Sequence, residues 1–203
     1  SKRFPKKVLK NIQNKSIIDW VLKRTKKAKN VKKIILATTR YKRDDILENI
    51  AKKNKVQIYR GDEKNVLKRY FDAAKFYKAD VIVRICADNP FIDPNQIDYL
   101  IKKFKYKNYD YAYNHQSRLN TNYADGFGAE ILTFNALERV YLGAKSKNQK
   151  EHVTKYIWDN LKKFRILSIK SPKRLAYPQF KFDINTPEDY RLIKNFKENF
   201  NIK

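Results

Sequence analysis

Apolar positions in this chain follow two alternating rhythms. Ile17, Ile18, Val21 and Leu22 fall on one face of a helix predicted over 16–28, and residues 33–38 form a short, continuous apolar run that reads as a strand. A helix over 44–54 follows, with Ile46, Ile50 and Ala51 inward, then a brief strand over 56–59 closed by Arg60-Gly61-Asp62. Val66, Leu67, Tyr70 and Ala74 give a helix over 63–77. Residues 79–86, rich in β-branched side chains, are the strongest strand signal and end in Asp88-Asn89-Pro90. Asp93-Pro94 opens a helix to 104, with Pro in its first turn. Strands over 111–114 and 129–134, a helix over 135–144, and a second helix to 161 with Asn148-x-x-Glu151 as its capping box come next. Strands over 165–169 and 180–184 and a helix opened by Thr186-Pro187 complete the pattern. Repeated strand–helix units predict an α/β fold: a mostly parallel, Rossmann-like sheet in three αβα layers, built as one domain over 1–203. The stretch 111–171 carries an extra strand–helix set, expected to form a lobe over the site.

Composition narrows the function. The chain has 203 residues, 47 Lys and Arg against 21 Asp and Glu, and a formal charge of +26. Its hydrophobic share of 42% is enough for a core, which excludes generic disorder. No apolar run approaches the ~18 residues that span a bilayer, so no membrane association is expected. Cys86 is the only cysteine, and His115 and His152 are the only histidines, which excludes a disulfide framework and Cys- or His-rich metal sites. The lysines are spread along the chain, so the charge reads either as a lysine-rich solvated surface or as attraction for anionic partners. Ser1-Lys2-Arg3 shows no initiator Met, apolar leader or transit pattern, so the chain is expected to start in mid-domain and to work in the cytoplasm.

In a parallel sheet, ligands bind beyond the carboxyl ends of the strands. Asp88 stands there, directly after the strongest strand, as either a turn residue or a carboxylate for Mg²⁺. Arg84, inside an apolar strand, needs an ion-pair partner or an anionic ligand. Asp183 and Asn185 are two apart on a predicted strand end and face one side, where they could complete a metal shell. Thr186 to Asp189 also make a helix start. Ser1-Lys2-Arg3-Phe4-Pro5-Lys6-Lys7 is either a frayed basic terminus or a loop that grips a polyphosphate. Gly126 and Gly128 should permit a positive φ or a close backbone approach. Asp125 and Glu130 could accept hydrogen bonds from a polyhydroxylated substrate. Glu151 reads as a cap or a site residue, and His152 as a buried helix residue or a site residue.

Taken in order, these motifs resemble the cytidylyltransferases of the spore-coat polysaccharide biosynthesis type, relatives of the enzymes that activate keto-sugars with CMP. The family's S-x-R-[LF]-P-x-K-V-L corresponds to Ser1 to Leu9, its A-T-[ST] to Ala37-Thr38-Thr39, and its R-G-x-E-x-D-V-L-x-R-Y to Arg60 through Tyr70. R-I-x-x-D-x-P-x-I-D-P corresponds to Arg84 through Pro94, G-x-x-x-E to Gly126 through Glu130, E-H-V-T to Glu151 through Thr154, and T-P-E-D to Thr186 through Asp189. Three departures stand out. The family's first strand, ending in an A-R pair, is missing before Ser1, so the domain is expected to be N-terminally truncated. Lys6 replaces a glycine, and Asn185 replaces a carboxylate.

The resemblance implies transfer of CMP from CTP to an anionic sugar or sugar phosphate, with release of pyrophosphate. It implies that Arg3 and Lys7 hold the phosphates as the catalytic cations. Ser1, Ala37, Thr38, Gly61, Arg69 and Arg84 would contact the nucleotide. Asp125, Gly126, Glu130, Glu151 and His152 would line the sugar side within 111–171. Asp88, Asp183 and Asn185 would hold Mg²⁺. Related enzymes often dimerise, which leaves a homodimer open. Two other functions compete. A metal-dependent glycosyltransferase would normally show D-x-D, whereas Ala87-Asp88-Asn89-Pro90 lacks the second carboxylate. A nucleic-acid binder could use the charge and the 14 Tyr and 12 Phe for stacking, but no helix-turn-helix, RNP or zinc motif appears and no specific nucleic acid is expected.

Overall fold

The computed structural model describes residues 4–104 and 108–199. A short 3₁₀ turn, Lys7–Leu9, leads into a hairpin of β1 (Asn11–Ile12) and β2 (Lys15–Ser16). Gln13 and Asn14 make its turn with positive φ at both positions, the twist that a two-residue hairpin prefers. Ser16 then caps α1 (Ile17–Thr25), its hydroxyl accepting from Asp19 N at 3.2 Å. β3 (Ile35–Thr39), α2 (Asp45–Lys53) and β4 (Gln57–Gly61) follow, and β3 and β4 pair in parallel. α3 (Val66–Phe76), β5 (Val81–Arg84), α4 (Pro94–Lys103) and β6 (Tyr111–Tyr113) come next. β7 (Glu130–Thr133), α5 (Phe134–Gly143), α6 (Lys147–Glu151), α7 (Lys155–Asp159), β8 (Ile166–Ser168) and α8 (Pro187–Asn199) complete the fold.

The strands alternate cleanly between two helical layers, as a pleated sheet covered on both faces requires. Val81, Val83, Ala112, Ile131 and Leu167 pack toward α1, α2 and α4. Ile82, Tyr111, Tyr113, Leu132 and Ile166 pack toward α3, α5 and α7. A third cluster joins Phe4, Ile12, Ile17, Trp20, Phe91, Ile184 and Ile193, tying the N-terminal loop and α8 to the rest. The expected three αβα layers are therefore present. No described helix is long and apolar enough to cross a membrane.

Several expectations need correction. The larger sheet has the order β5-β7-β6-β8, and β7 runs antiparallel to both of its neighbours. The chain reaches β7 through 114–129 without a crossover helix, so it returns reversed. β6 and β7 are inner strands, so 111–171 is woven into the main sheet. Ile46 is exposed, and Leu47 takes the inward position on α2. The box that starts α6 is Ser146 with Gln149, not Asn148 with Glu151. At His152 the backbone turns extended, which splits the expected single helix into α6 and α7. Residues 180–184 form no strand; only Lys181 bridges to Asp125. Phe182 is drawn instead into an aromatic cluster with Phe91, Phe127 and Phe196.

Candidate active site

The loop after β5 and the segment before α8 meet the N-terminal turn at one edge of the sheet. Lys7 Nζ lies 2.5 Å from Asp88 Oδ2 and donates to the Ile184 carbonyl at 2.7 Å. Ile184 N in turn donates to the Asp88 carbonyl at 3.0 Å. Three segments far apart in sequence are thus tied at the point where ligands enter such sheets. Ser1 and Arg3, expected beside Lys7, lie outside the described residues.

Lys6 holds the loop in a left-handed conformation, φ 55° and ψ 23°. A side chain there costs about 1–2 kcal/mol that glycine avoids. Lys6→Gly is therefore expected to raise the melting temperature by a few degrees, with Lys7 still in place. Thermal unfolding of the two proteins checks this; a lower melting temperature would mean that the lysine side chain contributes more than its backbone costs.

Asp183 and Asn185 do face each other, as Asn185 Nδ2 donates to Asp183 Oδ2. Asp189 accepts from Asn185 N and Thr186 N at 2.9 and 2.8 Å, so it closes the start of α8. Asp125 is fixed from both sides, its N donating to Phe180 O and its carbonyl accepting from Phe182 N, each at 3.0 Å. Burial, with the like charges of Asp183 and Asp88, pushes its carboxyl up to about 6. Gly126 has φ 105°, and a Cβ there would meet Phe182. Gly128 lies so close to Asn114 that a Cβ would collide with its backbone. The two glycines thus take the two roles expected of them.

Arg84 and Glu130 are directly paired across β5 and β7 and form an ion pair between a buried carboxylate and a half-buried guanidinium. Glu130 also accepts from Tyr111 Oη and from Thr154 Oγ1, the latter at 2.8 Å. The Arg84 guanidinium and these donors outweigh burial and hold the Glu130 carboxyl down to about 2. Glu130 is therefore the counter-ion of Arg84, with its oxygens already engaged. Glu151 and His152 are exposed at the end of α6; it is Thr154, from the same motif, that reaches the cluster.

Ala37 and Thr38 lie near the carboxyl end of β3, and Thr39 pairs with Gly61 on β4. A Cβ on Gly61 would meet Arg69 Cγ at 2.9 Å, so the glycine makes room for that arginine. Arg69 also donates to the Asp62 carbonyl at 2.5 Å. Sequence reasoning missed Tyr111, His115, Trp158 and Thr154. A signal for some of them existed: Tyr111, Tyr113 and His115 continue one alternation along β6 and beyond its end.

The three-layer fold, with Lys7 and Asp88 paired at its strand edge, is shared by solved nucleotidyltransferases. A cytidylyltransferase from Leptospira borgpetersenii superposes with a TM-score of 0.89 at 31% identity, covering 98% of this chain and 83% of that one. A CMP:2-keto-3-deoxy-manno-octonic acid synthetase complexed with CTP shares the fold, with a TM-score of 0.72 at 15% identity over 98% of this chain and 95% of that one. The chain belongs to the cytidylyltransferase family, whose model, described as Cytidylyltransferase, matches residues 1–202. It is also 31% identical over 199 residues to the spore coat polysaccharide biosynthesis protein SpsF of Bacillus subtilis, covering 96% of this chain and 80% of that protein.

Proposed function

We propose that the protein transfers CMP from CTP to an anionic sugar or sugar phosphate, in support of surface polysaccharide synthesis. The observation that carries this reading is the Lys7 ammonium held between Asp88 and the Ile184 carbonyl at the sheet edge. An acceptor oxygen attacks the α-phosphorus and forms the new P–O bond. The bond between the α-phosphorus and its bridging oxygen breaks, and pyrophosphate leaves with that electron pair. Lys7 offsets charge on the phosphates, and Asp88 fixes where its ammonium stands.

Mg²⁺ fits this site in part. Among the described residues no three His, Cys, Asp or Glu side chains converge to enclose an ion. Yet Asp125 is raised by burial first and then by the nearby charges of Asp183 and Asp88, so three carboxylates lie close enough to feel one another where a cation would relieve them. Mg²⁺ usually keeps waters and substrate phosphates among its ligands and needs only one or two carboxylates. Asp88 and Asp183 would supply those, with an amide oxygen from Asn185. When bound, the ion would act as a Lewis acid on the phosphates.

Pyrophosphate release measured with each of the four NTPs, across keto-acid sugars and sugar phosphates, tests the reaction. CTP should be preferred and EDTA should abolish turnover; equal use of GTP would sink the reading. A Mg²⁺ titration tests the division between the last two ligands. Asp183→Ala should cost far more activity than Asn185→Ala, because an amide brings no charge to the ion. Asn185→Asp should preserve activity or tighten Mg²⁺ dependence. Greater damage from Asn185→Ala would reverse the assignment.

A further inference from the structure

Three buried side-chain nitrogens around Tyr111 and Tyr113 have no hydrogen-bond partner: Arg84 Nε, His115 Nδ1 and Trp158 Nε1. The rings hold them in one neighbourhood. Tyr113 meets His115 edge-on at 6.2 Å and Trp158 at 5.1 Å, and Tyr111 meets Trp158 at 5.7 Å. Tyr111 bonds Glu130, the partner of Arg84. A buried donor left unpaired is destabilising, so a fold that keeps three together is matched to a ligand rich in acceptor oxygens. The cluster also sits at the shared edge of β5, β6 and β7, since Gly126 N donates to the His115 carbonyl at 3.3 Å and thereby ties His115 to the Asp125 segment.

The tautomer of His115 follows from its other nitrogen. Gln116 Nε2 lies 2.6 Å from His115 Nε2. With the Gln116 amide oriented so, its nitrogen donates and Nε2 accepts, the arrangement in which the ring hydrogen of neutral histidine stands on Nδ1; this is the tautomer proposed, and the ring spectrum below tests it. Burial, with Arg84 and Arg118 nearby and opposed by Glu130, pushes this imidazole down to about 4, so it is neutral near pH 7. Arg118 lies over the Trp158 ring at 4.4 Å, and its carbonyl accepts from Tyr113 Oη at 2.6 Å. The segment 116–122 therefore roofs the cluster.

We propose that His115 Nδ1–H, with Arg84 Nε and Trp158 Nε1, forms a donor-only receptor for the oxygens of the acceptor sugar, and that His115 sets acceptor specificity. Entry lifts the 116–122 roof. The inference rests on the nucleotidyl-transfer reading, because it places the acceptor beside the nucleotide.

The chain's two histidines make the test direct, as a ring-¹⁵N spectrum of the labelled protein contains only two imidazoles. With CTP present, 2-keto-3-deoxy-manno-octonic acid and sugar 1-phosphates are titrated in. His115 should show the Nδ1–H tautomer in the free protein, and Nδ1 should shift with an acceptor. In parallel, CTP and acceptor affinities are measured separately for three variants. His115→Asn places an amide nitrogen where Nδ1 stands and should keep acceptor affinity within about threefold, whereas His115→Gln and His115→Leu should lose about 10- to 100-fold. CTP affinity should hold in all three. An Nε2–H tautomer, a ring unmoved by every acceptor, or Asn and Gln variants that behave alike would overturn the proposal. Failure of the parent protein to bind CTP would instead overturn the transfer reading.

Discussion

Asp88→Asn should lower turnover by about 10³-fold while the protein stays folded. Asp88 stands on the loop after β5 and belongs to none of the three core clusters. Asparagine keeps its shape and can still accept a hydrogen bond from Lys7. What disappears is the charge that holds the Lys7 ammonium at 2.5 Å and that a divalent cation would require. Lys7→Met should be comparably damaging, since it removes the cation from the same place. The two effects should not add, because each variant breaks one unit. Pyrophosphate release gives the rates, and thermal unfolding should show a loss of no more than about 4 °C. Ordinary activity in a folded Asp88→Asn protein would reduce Asp88 to a turn residue.

How far the sequence reveals this site depends on the range of the interactions. The strand through Arg84 is legible because it is written locally, in β-branched side chains and a closing turn. So are the start of α4, where Asp93 accepts from Asn95 N at 2.9 Å, and the start of α8, where Thr186 accepts from Asp189 N at 3.2 Å. The unusual arginine in an apolar strand announces that it needs a partner, but not which one. Glu130 becomes that partner through the antiparallel register of β7, and no local pattern shows that β7 is reversed. Alternating aromatics at Phe180 and Phe182 imitate a strand because ring packing and ladder pairing leave the same periodicity. The break at His152 is hidden for the opposite reason: Val153 and Thr154 disfavour a helix only weakly, and the break comes with the tertiary bond of Thr154 to Glu130. The unpaired donors are the least legible of all, since a buried tyrosine, histidine or tryptophan looks like core until its neighbours are known.

The Arg84–Glu130 pair should produce the largest stability effect in the molecule. Glu130 is 1% exposed and accepts from Arg84, Tyr111 and Thr154. Glu130→Ala leaves a half-buried guanidinium without its counter-ion and two hydroxyls without their acceptor. Breaking a buried pair in this way costs about 3–5 kcal/mol, which corresponds to roughly 10 °C or more for a chain of this size. Removing both charges is a different experiment. Arg84→Met combined with Glu130→Leu leaves no uncompensated ion and should recover most of the loss, because burying two charges is itself costly. The pH dependence has a fixed sign. The Glu130 carboxyl is held at about 2, below its ordinary value, so its contribution is complete above the unfolded value and is lost as pH falls through about 2. Denaturant unfolding of the single and double variants, repeated from neutral to acid pH, gives both answers. A double variant as unstable as Glu130→Ala would show that shape and hydroxyl bonding, and not the stranded charge, set the cost. The recovered protein should still lose acceptor affinity, since it lacks the Arg84 Nε donor that the receptor requires.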